Sequence, residues 1–137
     1  MDSRIDDLLR RAAASHRIAT ERELALLKLT PAQFAVLQIV AEAPGVSSAE
    51  VARIERLTPP TMSVIVGNLE RKDALTRRAH AKNGRIQCLE PTEIGLELMR
   101  KGRAQVQAQK ERLLAAMSAE AAPAIELWLR RVAAIEV

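Results

Sequence analysis

The chain has 137 residues, 48% of them hydrophobic, and a formal net charge of +4. That length suits one compact domain, or one domain joined to an assembly interface, and leaves little room for a second independent domain. Phe34 and Trp128 are the only aromatic residues, so the core must come from Leu, Ile, Val, Ala and Met. That composition favours helices packed on helices, and it argues against recognition of RNA or single strands by stacking bases on exposed rings.

Other classes are excluded in the same way. Cys88 is the single cysteine and has only His16 and His80 beside it as soft ligands, so neither a disulfide nor a structural zinc site is expected. There is no nucleophile elbow, phosphate loop or cluster of histidines and carboxylates at ligand spacing, so no catalytic site and no cofactor are expected. The start, MDSRIDDLLRR, is acidic where a signal peptide would be apolar. No run reaches the roughly 18 apolar residues of a membrane span. A cytoplasmic protein without a membrane partner is expected.

The charge is unevenly placed. Between residues 71 and 85, the six cations Arg71, Lys72, Arg77, Arg78, Lys82 and Arg85 face only Asp73, a local +5, which leaves −1 for the rest of the +4 chain. Such a patch attracts phosphate backbones, although a charge run can also be a solvated surface.

In chain order, residues 4–27 place Ile5, Leu8, Leu9, Ala12 and Ala19 near helical spacing and predict an amphipathic helix. His16 lies on the same stripe. Thr30-Pro31-Ala32-Gln33 has the form of a capping box that opens a second helix to about Glu42, with Phe34, Leu37, Val40 and Ala41 buried. Pro44-Gly45 ends it. Ser47-Ser48-Ala49-Glu50 is a second capping box, opening a short helix that holds Val51, Ala52 and Ile54.

Thr58-Pro59-Pro60 opens a fourth helix in which Met62, Ile65, Val66 and Leu69 fall at offsets 0, 3, 4 and 7 on one apolar face. Pro60, Ser63, Val64, Gly67, Asn68 and Arg71 share the opposite face. Two short helices in tight succession, the second with a small polar face followed by basic residues, form the pattern of a helix-turn-helix. Residues 74–78 and 85–89 then read as two strands around a polar loop containing Asn83-Gly84, a β-hairpin with a basic tip. A helix-turn-helix followed by such a hairpin is a winged helix.

Thr92 opens a long helix from Glu93 to about Met117, with Met99, Val106 and Leu113 seven residues apart and Leu96 near the same seam. Ser118 restarts a last helix with Ile125, Trp128, Leu129, Val132 and Ile135 on its stripe. Gly95 and Gly102 each cost the long helix about 1 kcal/mol relative to Ala, so tertiary packing must offset them. The terminal helices carry more apolar surface than a small three-helix core covers. They are therefore expected to dimerise, the alternative being a bundle within one chain. The fold class is thus mainly α with a small β-wing: 1–29 an N-terminal dimerisation helix, 30–92 the winged helix-turn-helix, and 93–137 the C-terminal dimerisation helices.

Several segments together resemble the MarR family of transcription regulators along nearly the whole chain. They are Leu29-Thr30-Pro31-Ala32-Gln33-Phe34-Ala35-Val36-Leu37, Ser47-Ser48-Ala49-Glu50-Val51-Ala52, Leu57-Thr58-Pro59-Pro60-Thr61-Met62-Ser63, Leu69-Glu70-Arg71-Lys72, Arg85, and Thr92-Glu93-Ile94-Gly95. The resemblance implies a homodimer with interlocked terminal helices, holding two winged helices against successive major grooves of a pseudo-palindromic operator, usually as a repressor. It further implies that small phenolic or aromatic acids, oxidants or metals often release such proteins from DNA. Three positions depart from the family pattern. Asn83 and Gly84 precede Arg85 in place of an acidic residue and an arginine, so Arg85 lacks its usual carboxylate partner. Val64 stands where many members carry arginine, and Asp73 replaces the turn glycine before the wing.

On this reading the helix from Thr58 to Lys72 enters the major groove of double-stranded DNA N-terminus first. Thr58, Thr61 and Ser63 supply hydroxyls, Pro60 and Arg71 share the exposed face, and Val64 suits a thymine methyl. Asn68 either reads an adenine or is simply solvated. Arg77, Arg78 and Lys82 are expected at the DNA backbone and Arg85 in the minor groove. Cys88 is expected to be structural and His16 to lie in an interface. A rival reading keeps the winged helix but assigns it to protein interaction without DNA, which would not need the basic patch.

Overall fold

The computed structural model describes residues 4–135; residues 1–3 and 136–137, the outer ends of the segments expected to dimerise, lie outside the described residues. Six helices and two strands follow in the order α1 (Arg4–Leu24), a 3-10 turn (Ala25–Leu27), α2 (Pro31–Glu42), α3 (Ser48–Ile54), α4 (Pro59–Arg71), β1 (Leu75–Ala79), β2 (Gln87–Pro91), α5 (Glu93–Ala115) and α6 (Ala122–Ala134). Two compact units result, one up to Val106 and one from Gln107 onward.

Helices α2 to α5 begin where the hydroxyl residues place their caps. Thr30 accepts the Gln33 amide at 3.1 Å while Gln33 Oε1 accepts the Thr30 amide at 3.2 Å, a reciprocal box. Ser47 accepts from the Glu50 amide at 3.1 Å, Thr58 from Thr61 at 3.4 Å and Thr92 from Gly95 at 2.9 Å. Each cap satisfies an amide that the helix cannot, worth about 1 kcal/mol. The box expected at Ser47 is only half formed, because the Glu50 carboxylate turns to Arg53 one helical turn on.

The core fills with the expected apolar faces except in α2, where Ala41 is only partly buried and Val36, outside the expected stripe, is fully buried. Phe34, Val36, Leu37 and Val40 of α2 meet Met62, Ile65, Val66 and Leu69 of α4, with Val51, Leu75 and Leu89 closing the cluster. Burial of each large side chain contributes roughly 1.5–3 kcal/mol. Ile54 departs from expectation. It ends the seven-residue α3 pointing away from the core and stays exposed.

The hairpin pairs antiparallel from Leu75 opposite Pro91 to Ala79 opposite Gln87. Its second strand therefore starts two residues later than the expected 85–89. The amide of His80 donates to the Ile86 carbonyl at 2.8 Å and that of Ile86 to the Asn83 carbonyl at 3.0 Å, which folds Arg85 and Ile86 into the tip. The outer edge of β2 is also paired: Gly45 donates to the Leu89 carbonyl at 2.8 Å, and Leu89 donates back to Val46 at 2.9 Å. Gly45 makes this approach with φ of +89°, a conformation that costs glycine nothing.

The glycines of α5 find their compensation in packing. A side chain at Gly95 would overlap the Ala74 carbonyl at the foot of β1, and one at Gly102 would come within 2.5 Å of the Phe34 ring. The helix can lie this close only because both positions lack a Cβ.

In the second unit, α5 ends at Ala115 rather than near Met117, and α6 begins at Ala122 rather than directly after Ser118. Ser118 does act as a cap, accepting the Ala121 amide at 3.1 Å, but it caps the turn that precedes α6. Leu113, Leu114, Ile125, Trp128, Leu129 and Ile135 are all exposed in the single chain, as are Ile5, Leu8 and Ile18 of α1.

Candidate nucleic-acid interface

Helix α4 has two unlike faces. Its apolar face is sunk in the core, which leaves Pro60, Thr61, Ser63, Val64 and Arg71 exposed and Gly67 and Asn68 half-buried. Thr58 Oγ1 donates to Thr61 Oγ1 at 3.0 Å, so the two exposed hydroxyls at the N-terminus are linked. Val64 is 61% exposed, an apolar side chain held out to solvent on a short, well-capped helix. Arg71 donates to Asn68 Oδ1 of the side-chain amide. That bond occupies the acceptor Asn68 needs for a bidentate adenine contact and leaves its amide N–H groups available.

A groove of about 590 Å³ runs between α3, the start of α4 and the wing, and Ser48, Arg53, Pro59, Ser63, Arg77 and Arg85 are among the residues lining it. It brings Ser63 of α4 and Arg85 of the wing tip onto one concave surface, although 22 residues separate them in sequence.

The basic residues of the wing fall into two groups. At its base, Arg77 donates to Glu70 at 2.9 Å through Nε and to Gln87 at 3.0 Å, tying β1 both to the last turn of α4 and to β2. The hydrogen bond from Arg77 holds the Glu70 carboxyl below its ordinary range, partial burial opposing it, and the same bond raises the Arg77 guanidinium. Arg78 is paired across the strands with Glu90 at 3.0 Å. Glu70 and Glu90 both lie outside residues 71–85, so the local +5 overstates the charge that the folded surface presents. At the tip, Lys82 and Arg85 are exposed, and among the described residues neither side chain forms an ion pair. Asn83 spends its side-chain oxygen on the Arg85 backbone amide at 3.1 Å.

Asp73, just before the wing, adopts φ of +57°. Aspartate tolerates this left-handed conformation better than most residues but not freely. Cys88 is buried in β2. Among the described residues no group of three or more His, Cys, Asp or Glu is placed to hold a metal ion, and no single helix is long and apolar enough to cross a membrane.

Sequence reasoning missed Glu70, Gln87 and Glu90 as partners of the wing arginines. The signal available was alternation: Glu90 and Arg78 point to one side of the hairpin, as cross-strand neighbours do.

A capped two-helix unit followed by a hairpin packed on the second helix defines a winged helix-turn-helix protein. The sequence profile of the MarR family matches residues 27–86. An HTH-type transcriptional repressor of Mycobacterium tuberculosis is 34% identical over 118 residues, covering 86% of this chain and 85% of the relative. The chain belongs to the MarR family. Among solved structures, a Mycobacterium tuberculosis MarR family protein in complex with salicylic acid is 31% identical, with a TM-score of 0.72 over 96% of this chain and 97% of that one. The fold is shared with a Staphylococcus aureus MepR–DNA complex, at 21% identity, a TM-score of 0.82, and coverage of 93% of this chain and 94% of that one.

Proposed function

We propose that this chain is a non-catalytic, cytoplasmic repressor that binds a pseudo-palindromic operator in double-stranded DNA as a homodimer. The exposed face of α4 enters the major groove, with Thr58, Pro60, Thr61, Ser63, Val64, Asn68 and Arg71 nearest the bases and phosphates. Lys82 and Arg85 reach the backbone and the minor groove from the wing tip. Arg77 and Arg78 hold the wing in place, and any phosphate contact they make is secondary, because their charge is already satisfied by Glu70 and Glu90.

The observation that carries this reading is the groove lined both by Ser63 of the helix and by Arg85 of the wing tip, which brings two kinds of DNA-reading group to one surface. Segments 1–29 and 93–137 are the dimerisation elements and 30–92 the reading head. The exposed apolar stripes on α1 and α6 support that division, since a single chain leaves them in water. A small aromatic acid as releasing effector is supported by the salicylic acid complex of the Mycobacterium tuberculosis relative.

Fluorescence anisotropy with random duplex DNA tests the first step. Affinity should fall steeply with salt, as expected when several phosphates are neutralised. Binding that ignores salt, or no binding at low salt, would favour the protein-interaction alternative.

A further inference from the structure

The exposed face of α4 carries a chemical pattern of its own. Thr61, Val64, Asn68 and Arg71 fall at offsets 0, 3, 7 and 10, a single stripe along a helix of 13 residues. Arg71 folds back over this stripe: a Cβ at Gly67 would lie 3.5 Å from its Nη1, and its Nη2 donates to Asn68 Oδ1. With its oxygen engaged in this way, the Asn68 amide keeps its two N–H donors for a further partner. Val64, one turn earlier and 61% exposed, has only hydrocarbon to offer. Residues four apart on a helix have Cβ atoms about 5–6 Å from each other, so a hydrocarbon surface and a donor-only amide lie side by side.

We propose that Val64 and Asn68 together read one thymine of each operator half-site, Val64 packing on its C5 methyl and Asn68 donating to its O4, with Arg71 as the positioning residue that fixes the amide. Of the four bases, thymine alone places a methyl group beside an acceptor in the major groove. Adenine at N6 and cytosine at N4 set a donor against the Asn68 N–H groups, and guanine offers acceptors without a methyl. A match therefore needs both side chains, and each wrong base fails one of them.

The inference rests on the DNA-binding reading above and adds to it the base that is read and the groups that read it. It moves Asn68 from adenine, which the residue type suggests, to thymine. Bidentate contact with adenine needs an acceptor and a donor at once, and the acceptor is held by Arg71. Arg71 then acts on sequence preference through Asn68. Its removal frees Oδ1 and lets adenine compete at the same position.

The test starts from the duplex that the full chain enriches most from a library of random sequences. Each thymine of that duplex is replaced in turn by deoxyuridine, which removes the methyl and keeps O4. Each T·A pair is then replaced by a 5-methylcytosine·G pair, which keeps the methyl and puts a donor in place of O4. Affinities are read by fluorescence anisotropy at one salt concentration. One thymine in each half-site should respond to both changes, about fourfold to deoxyuridine, the scale of one methyl group returned to water, and about tenfold to 5-methylcytosine, the scale of one lost base contact. Val64→Ala should abolish the deoxyuridine effect there and keep the other, and Asn68→Ala should do the reverse. Arg71→Ala should relax the preference for thymine over adenine at that position; a lowered salt slope with the preference intact would make Arg71 a phosphate contact instead and overturn its role. Thermal melts show that each variant keeps the fold. No thymine responding to deoxyuridine, a response unchanged in Val64→Ala, or discrimination against 5-methylcytosine unchanged in Asn68→Ala overturns the proposal, as does a library that yields no enriched sequence although random duplex still binds. All of these leave duplex binding by the parent chain in place, whereas failure to bind any duplex would overturn the DNA-binding reading itself.

Discussion

The base and the tip of the wing carry the same kind of residue and are built for different tasks. At the base, Arg77 and Arg78 are each matched to a carboxylate, Arg77 bridges to Gln87 as well, and the strand is fastened to α4. At the tip, Lys82 and Arg85 stand in solvent without an ion pair among the described residues, on a turn organised by Asn83. A positive charge already held by a carboxylate neutralises a phosphate poorly, since the existing pair must first be broken. The contrast separates basic residues that shape the surface from those left to meet a polyanion.

The largest effect expected from disturbing this division lies beneath the base. Gly95→Ala drives a methyl group into the Ala74 carbonyl. It should destabilise the fold by about 1–3 kcal/mol or more, as overpacking does, read as a lowered denaturant midpoint. An unchanged midpoint would mean that α5 does not lie as close to the wing as described.

At the tip, Arg85→Ala should leave thermal stability unchanged and weaken operator binding about tenfold, the scale of one well-placed arginine contact. Equal affinity at physiological salt would remove the wing tip from the interface. Lys82→Ala is expected to be milder. It should lower affinity for operator and random duplex alike and reduce the salt slope by about one, as the loss of a single phosphate contact does.

The base responds differently. Arg77→Gln and Glu70→Gln should each loosen the wing and weaken operator binding by similar factors. The swapped pair Glu70→Arg with Arg77→Glu should recover part of that loss, which a direct phosphate contact by Arg77 would not allow. Because the folded carboxyl is held below its ordinary value of 4.5, its stabilising share is complete above that pH. It is lost as pH falls through the depressed folded value. Glu70→Gln should erase that part of the acid sensitivity. Both side chains are about a third exposed, so solvent screens the pair and the effect on stability is small. The smallest change is Asp73→Gly, which frees the positive-φ turn from its side chain. It should raise stability by up to about 1 kcal/mol, offset in part by the greater freedom of glycine in the unfolded chain.

Much of the architecture was legible in the residues because its determinants are local. A hydroxyl three residues before an amide, as at Thr30, Ser47, Thr58 and Thr92, specifies a cap within one turn. The offsets of Met62, Ile65, Val66 and Leu69 specify a buried face from the helical period alone. What escaped was set by contacts across the fold. The Glu70–Arg77 pair spans a helix end and a turn, the strand-like segment at Gly45–Ser47 becomes visible only once β2 is beside it, and Gly95 looked like a cost until Ala74 was seen beneath it. The strand bounds shifted for a related reason. The polar loop expected at 79–84 lies at 80–86, because the Asn83 side chain accepts the Arg85 amide and takes Arg85 and Ile86 into the tip. Of the candidate site, the residue types and their face on α4 were readable. Which arginines were already paired was not, because their partners lie outside the charged run.

The decisive measurement is selection of bound sequences from random duplex DNA, made with the parent chain and with Arg85→Ala. A two-fold-symmetric motif should be enriched, with half-sites about one helical turn apart, and with the Arg85→Ala variant preference should relax in the flanks that meet the minor groove while the central major-groove positions persist. No enriched motif with the parent chain, or the same motif and affinity for both proteins, would contradict a reading helix and wing tip that act together on DNA.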